Sequence, residues 1–160
     1  MRSYRLLAAA SALLAACSGI SITGSDLPEG ERVAVTALAR PDHPGSGFSS
    51  RARRVIQSTA GWDSVATLLF HSSPPPASSF DFGSETVVVA AMGGRPTGGF
   101  SIAVDGAVVS GAELVVGVVE RSPGRSCTLT QAPTAPVAVA RVARAGLPVR
   151  FVERKEVYDC

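Results

Sequence analysis

The sequence predicts a mainly β domain, a β-sandwich or open barrel, with one short α-helix. Three observations carry this. Short Val-rich runs recur along the chain and are separated by turns containing Gly and Pro. One of them, residues 86–92 (TVVVAAM), is an unbroken apolar and β-branched run, the pattern of a central strand buried on both faces. Residues 58–70 instead place their apolar side chains at helical spacing. Hydrophobic residues make up 46% of the 160, enough to build one core, and the length suits one domain.

In chain order, residues 32–39 (RVAVTALA) alternate weakly and read as a strand. Residues 41–50 (PDHPGSGFSS) read as a loop, and 53–58 (RRVIQS) as a short strand. Arg51, Arg53 and Arg54 are expected on a solvated strand face. The helix over 58–70 can be capped by Ser58 or Thr59, and Trp62, Val65, Ala66 and Leu69 form its packing face. The prolines at 74–76 end it. Trp62 is expected to pack the helix on the sheet, and Asp81, before Phe82-Gly83, to organise a turn. Beyond the buried run at 86–92, strands are expected at 100–104, 113–121, 136–142 and 149–153. The domain spans residues 32–160.

The first residues read MRSYRLLAAASALLAAC. Arg2 and Arg5 precede an uncharged apolar run at 6–16. That run falls short of the about 20 residues a membrane-spanning helix needs and has the length of a signal-peptide core. Leu14, Ala15, Ala16 and Cys17 resemble the lipobox of bacterial lipoproteins. The resemblance implies cleavage before Cys17, a thioether-linked diacylglycerol on its sulfur and an acylated amino terminus. At about 0.8 kcal/mol per buried CH₂, two or three acyl chains hold a protein stably on a membrane. Residues 1–16 are then a signal peptide, and 17–31 a lipidated terminus and flexible tether. The expected location is the bacterial cell envelope. Ser18, in place of the Asp that commonly marks inner-membrane retention, favours the outer membrane in a Gram-negative host.

The sequence holds 15 Lys+Arg against 13 Asp+Glu. Two of the cations, Arg2 and Arg5, leave with the signal peptide, so the mature chain is formally neutral and nucleic acid is not an expected partner. There are three cysteines, Cys17, Cys127 and Cys160. Lipidation of Cys17 would leave an even pair, which outside the cytoplasm reads most simply as a disulfide. It would pin the terminus at Cys160 and contribute roughly 3–4 kcal/mol by chain entropy. Two distant cysteines with no nearby His do not suggest a metal site, and no cofactor is expected.

The most unusual local feature is Gly93-Gly94-Arg95-Pro96-Thr97-Gly98-Gly99-Phe100. It is not a phosphate-binding P-loop, because no Lys-Ser/Thr follows the glycines and a strand comes next. Pro96 fixes φ, Gly98 can take positive φ, and the pair suits a tight turn around Pro96-Thr97. The glycines would leave the backbone open to close approach. Arg95, Pro96, Thr97, Gly98, Gly99 and Phe100 are therefore the candidate partner-binding loop. A turn that only orders the sandwich is the alternative.

Asp81-Phe82, the strand TVVVAAMGG, RPTGGF, Ser122-Pro123-Gly124, the segment CTLTQAP from Cys127 through Gln131 to Pro133, and PVRFVER together resemble the C-terminal domain family of PrcB, a protease-complex subunit. The likeness runs from about residue 48 to 160 and is strongest over 81–154. Phe100 stands where Tyr is common in that family. The resemblance implies a binding or accessory role, with an envelope protease or another envelope protein as partner. RPTGGF is also similar to the NPTTGY-type loop of chagasin-like cysteine-protease inhibitors, which implies inhibition as a second reading. A structural envelope lipoprotein without a dedicated ligand is a third.

Catalysis is not expected. His43 and His71 both sit beside proline-rich loops, and there is no G-x-S-x-G, HExxH or CxxC. Asp63, Asp81, Glu85, Glu113 and Glu120 suggest no acid/base pair.

Overall fold

The computed structural model describes residues 27–38, 47–70 and 73–160. Cys17 with its lipobox, Ser18, His43 and His71 lie outside the described residues. Among the described residues, eight strands form two four-stranded sheets, and a helix covers one of them. The first sheet has the order β1 (Glu31–Val33), β5 (Ser101–Ser110), β6 (Glu113–Pro123), β8 (Val149–Tyr158). The second has the order β2 (Val35–Ala37), β7 (Val137–Val142), β4 (Thr86–Ala91), β3 (Ala52–Ile56).

The strand expected at 32–39 is two strands. The chain leaves the first sheet after Val33, passes Ala34, and enters the second sheet at Val35. β1 and β2 thus join the sheets covalently along one side. All other pairings are antiparallel except β6 with β8, which runs parallel from Leu114↔Val149 to Pro123↔Tyr158. Between those two strands the chain crosses to the other sheet to form β7.

The helix α1 (Thr59–Phe70) begins where Ser58 accepts a hydrogen bond on Oγ from the Gly61 N–H at 3.1 Å, an N-cap. Its buried face is Trp62, Val65, Ala66, Leu69 and Phe70. These pack with Ile56, Val87, Val89, Ala91 and Val139 in one core on the outer face of the second sheet. Trp62 is fully buried and donates its indole N–H to the Pro75 carbonyl at 2.9 Å. Its ring lies 4.5 Å from that of Phe80, at edge-tilted geometry. A single 3-10 turn at Ala77–Ser79 leads to Phe80. Asp81 then accepts from the Gly83 N–H at 3.0 Å and the Ser84 hydroxyl at 2.7 Å, the expected Asx turn.

A second core lies between the sheets: Val88, Ala140 and Val142 meet Ala107, Leu114 and Val116. β4 therefore sends Val87, Val89 and Ala91 under the helix and Val88 toward the first sheet, and all six of its residues are buried. Its unbroken apolar run follows from having a layer on each side, although the strand is antiparallel.

β5 runs on past residue 104, where the sequence reading ends it. The pairing slips between Val104 and Gly106, so Asp105-Gly106 is a β-bulge rather than a turn. The reversal comes at Gly111, with φ +61°. β8 likewise extends to Tyr158 because β6 supplies a parallel partner along its whole length.

The side of the sandwich opposite β1 and β2 is closed by charge. Arg51 and Arg54 are exposed, as the sequence suggests, but Arg53 is largely buried, and both Arg51 and Arg53 are engaged by carboxylates of the other sheet. These two arginines reach across to Glu120 on β6 and Glu153 on β8. Glu120 accepts from Arg51 Nε at 3.0 Å and Arg53 Nη2 at 2.5 Å. Glu153 accepts from Arg53 Nε at 2.8 Å and from Arg51 Nη2. Arg53 Nη1 donates to the carbonyls of Ala52 and Ala91. The Glu120 side chain is only 5% exposed. Burial works against its ionisation, but the hydrogen bonds and charges of Arg53 and Arg51 outweigh that and hold its carboxyl below the usual range.

Candidate functional site

The loop at 93–100 leaves the buried end of β4 and enters β5. Two glycines set its path, Gly93 at φ +78° and Gly99 at φ +87°. Positive φ therefore falls at Gly99, and Gly98, which the sequence reading picks out for it, is not in that region. The chain bends at residues 96–98, but no backbone hydrogen bond within the loop closes a turn around Pro96-Thr97. The loop is instead laid along residues 129–134 of the β6–β7 connection.

That contact is a series of hydrogen bonds. Arg95 and Thr134 exchange N–H···O=C bonds of 2.7 and 3.0 Å, forming an isolated antiparallel bridge. The Thr134 hydroxyl donates to the Thr97 carbonyl at 2.9 Å, and the Gly98 N–H to the Thr130 carbonyl at 3.0 Å. The Gly94 N–H donates to the Ser49 carbonyl at 2.9 Å. Tyr158, at the end of β8, donates its hydroxyl to the Gly99 carbonyl at 2.8 Å. The glycines do permit close approach, but by this chain's own atoms: a Cβ at Gly98 would run into Thr130 Oγ1, and one at Gly99 would stand 2.8 Å from Leu129 Cδ2. Gly94, Pro96 and Gly99 remain exposed.

Cys127 and Cys160 are joined in a disulfide, with Cα atoms 5.0 Å apart. The Gly124 N–H donates to the Tyr158 carbonyl at 2.8 Å beside it. The bridge thus holds the end of β8 against the β6–β7 connection, and Tyr158 carries that restraint to the loop. Thr130, Thr134 and Tyr158 are the site residues that sequence reasoning does not single out. Their role depends on pairing between distant segments, and a Tyr near a Cys is the only hint of it in the sequence.

Arg95 is the charged group of the loop. Its guanidinium lies 5.4 Å from the Phe100 ring centre, within cation–π range. Nη2 donates to the Met92 carbonyl at 3.2 Å, and Nε has no partner. Among the described residues no carboxylate pairs with Arg95. Among the described residues, too, no three His, Cys, Asp or Glu side chains gather as metal ligands, and no helix is long and apolar enough to cross a membrane.

These elements define a mainly β domain of two sheets and one helix, with a braced surface of loops at one end. The family model described as PrcB C-terminal matches residues 86–143, the stretch that runs from β4 to β7 and includes both loops of this surface. The helix, β3 and β8 with Tyr158 lie outside the matched stretch. No curated protein and no solved structure matches the chain.

Proposed function

We propose that this chain is a lipid-anchored accessory domain of the bacterial envelope, without catalytic activity of its own. Its loop from Arg95 to Phe100 binds another envelope protein, such as a protease subunit. The observation that carries the reading is the way the loop is fixed. Hydrogen bonds to Ser49, Thr130, Thr134 and Tyr158 hold it in one conformation. A surface fixed in advance loses less conformational entropy on binding. Arg95, half-buried on Phe100 and without a carboxylate of its own, supplies a charge for an acidic group on the partner. The Cys127–Cys160 disulfide stabilises this surface outside the cytoplasm. Cys17 and its lipid would keep it at the membrane through the tether.

The test is affinity capture from crosslinked envelopes of the native host, using wild-type protein and a variant with residues 95–99 replaced by Ser and Ala. The reading predicts a discrete co-purifying protein that the variant loses. Equal recovery by both proteins would remove the loop from the account.

A further inference from the structure

The opposite flank of the molecule carries a second surface, independent of the loop. Among the described residues β3 pairs only with β4, so its other side is an open sheet edge there. Which groups face outward follows from alternation. The Met92 N–H donates to Pro136, on the β7 side. In an antiparallel ladder successive residues point to opposite sides, so Val87, Val89 and Ala91 turn toward β3, where they face Ile56, Arg54 and Ala52. The main-chain N–H and C=O of Arg53 and Val55 consequently point away from the sheet. Among the described residues nothing bonds to them.

This edge opens onto a groove of about 410 Å³ between β3 and α1, lined by Phe48, Ile56, Val65 and Leu68 with Arg54 and Ser64. Leu68 is 41% exposed there, a large apolar side chain left uncovered on the helix. Arg54 differs from its neighbours: Arg51 and Arg53 are spent on Glu120 and Glu153, whereas Arg54 meets no carboxylate among the described residues.

We propose that the β3 edge takes an extended segment of a partner polypeptide as an added strand. The backbone of that segment pairs with Arg53 and Val55, alternate apolar side chains fill the groove against Phe48, Val65 and Leu68, and one acidic side chain meets Arg54. Charge selects this occupant over a second copy of the chain, because two β3 edges paired antiparallel about Val55 would set each Arg54 opposite the other's Ile56 and offer it no carboxylate.

The probe is a short fluorescein-labelled peptide alternating Val and Thr around a central Glu, with a twin carrying Lys in place of Glu. Anisotropy should rise on adding wild-type protein to the Glu peptide and less with the Lys peptide. Val55→Pro removes an N–H that the ladder to β4 does not use, at a strand edge where Pro is tolerated. It should weaken binding roughly tenfold. Arg54→Glu, an exposed change that leaves folding alone, should reverse the preference to the Lys peptide. Amide exchange should show Val55 newly protected in the complex. Binding unchanged by both substitutions, or no binding to either peptide, overturns the proposal. So does concentration-dependent self-association that Val55→Pro abolishes, since the edge would then serve a second copy.

Discussion

Replacing Glu120 by Gln tests how the open side of the sandwich is held. The change keeps the shape of the side chain and removes its charge. Glu120 is almost wholly buried and accepts from both Arg51 and Arg53. With Gln there, two guanidinium groups would crowd one neutral oxygen, and Glu153 alone would balance them. Removing one partner of a buried ion pair costs about 3–5 kcal/mol, which for a domain of this size lowers the melting midpoint by roughly 10–20 °C. Calorimetry at neutral pH on protein beginning at Ser18 reads this directly. The pH dependence supplies a second check. The Glu120 carboxyl titrates below its ordinary value in the folded protein, so the unfolded chain binds the proton more readily. Its contribution is complete above the unfolded value of about 4.3 and is lost as pH falls through the folded one. Asp81 and Glu156 are also held low, by Ser84 and Arg121 respectively, and weaken both proteins in acid alike. The gap between wild type and Glu120→Gln should therefore narrow toward low pH. Pairing Glu120→Leu with Arg53→Met should recover part of the loss, because no charge is left buried alone. A midpoint shift below about 2 °C, with a gap that does not change with pH, would refute the clamp.

Removing the disulfide by Cys127→Ser with Cys160→Ser should cost roughly 3–4 kcal/mol in urea denaturation, and unreduced, unfolded wild-type protein should offer no thiol from either residue to a maleimide. Trp62→Ala should destabilise by about 3–5 kcal/mol, because it empties the junction of α1, Phe70 and Phe80; an unchanged urea midpoint would contradict that packing. Gly99→Ala forces a side chain to φ +87° against Leu129, and a cost of about 1–3 kcal/mol with altered amide signals confined to residues 93–100 and 127–134 is expected. Cys17→Ser should leave the precursor unlipidated and unable to incorporate labelled palmitate; continued labelling would place the lipid elsewhere.

Much of the fold was legible because its signals are local. The buried run of β4, the Ser58 cap and the Trp62 face each declare themselves within a few residues. What was not legible depends on pairing at a distance. Nothing in residues 32–39 says that the chain changes sheet at Ala34, since both halves alternate alike. Asp105-Gly106 carries the residues of a turn, and only the partner strand makes it a bulge. Arg53 looks like a surface cation until β6 and β8 bring Glu120 and Glu153 beneath it, and Arg51, though exposed, is bound by the same two carboxylates. At the site, Gly and Pro marked the loop correctly. Gly98 can take positive φ, yet positive φ falls at Gly99, because the β6–β7 connection, and not the loop's own turn chemistry, sets its path. Thr130, Thr134 and Tyr158 could not be read for the same reason.

The account rests most on the loop being a protein-binding surface, and site-specific photo-crosslinking in the native host tests it most directly. A photoreactive residue at Pro96, exposed in the loop, is compared with one at Ala112, exposed in the β5–β6 turn at the far end of β5. The account predicts a discrete adduct with one envelope protein from position 96, absent from position 112 and lost when Arg95→Glu is added. The same adducts from both positions, or none from position 96, would contradict it.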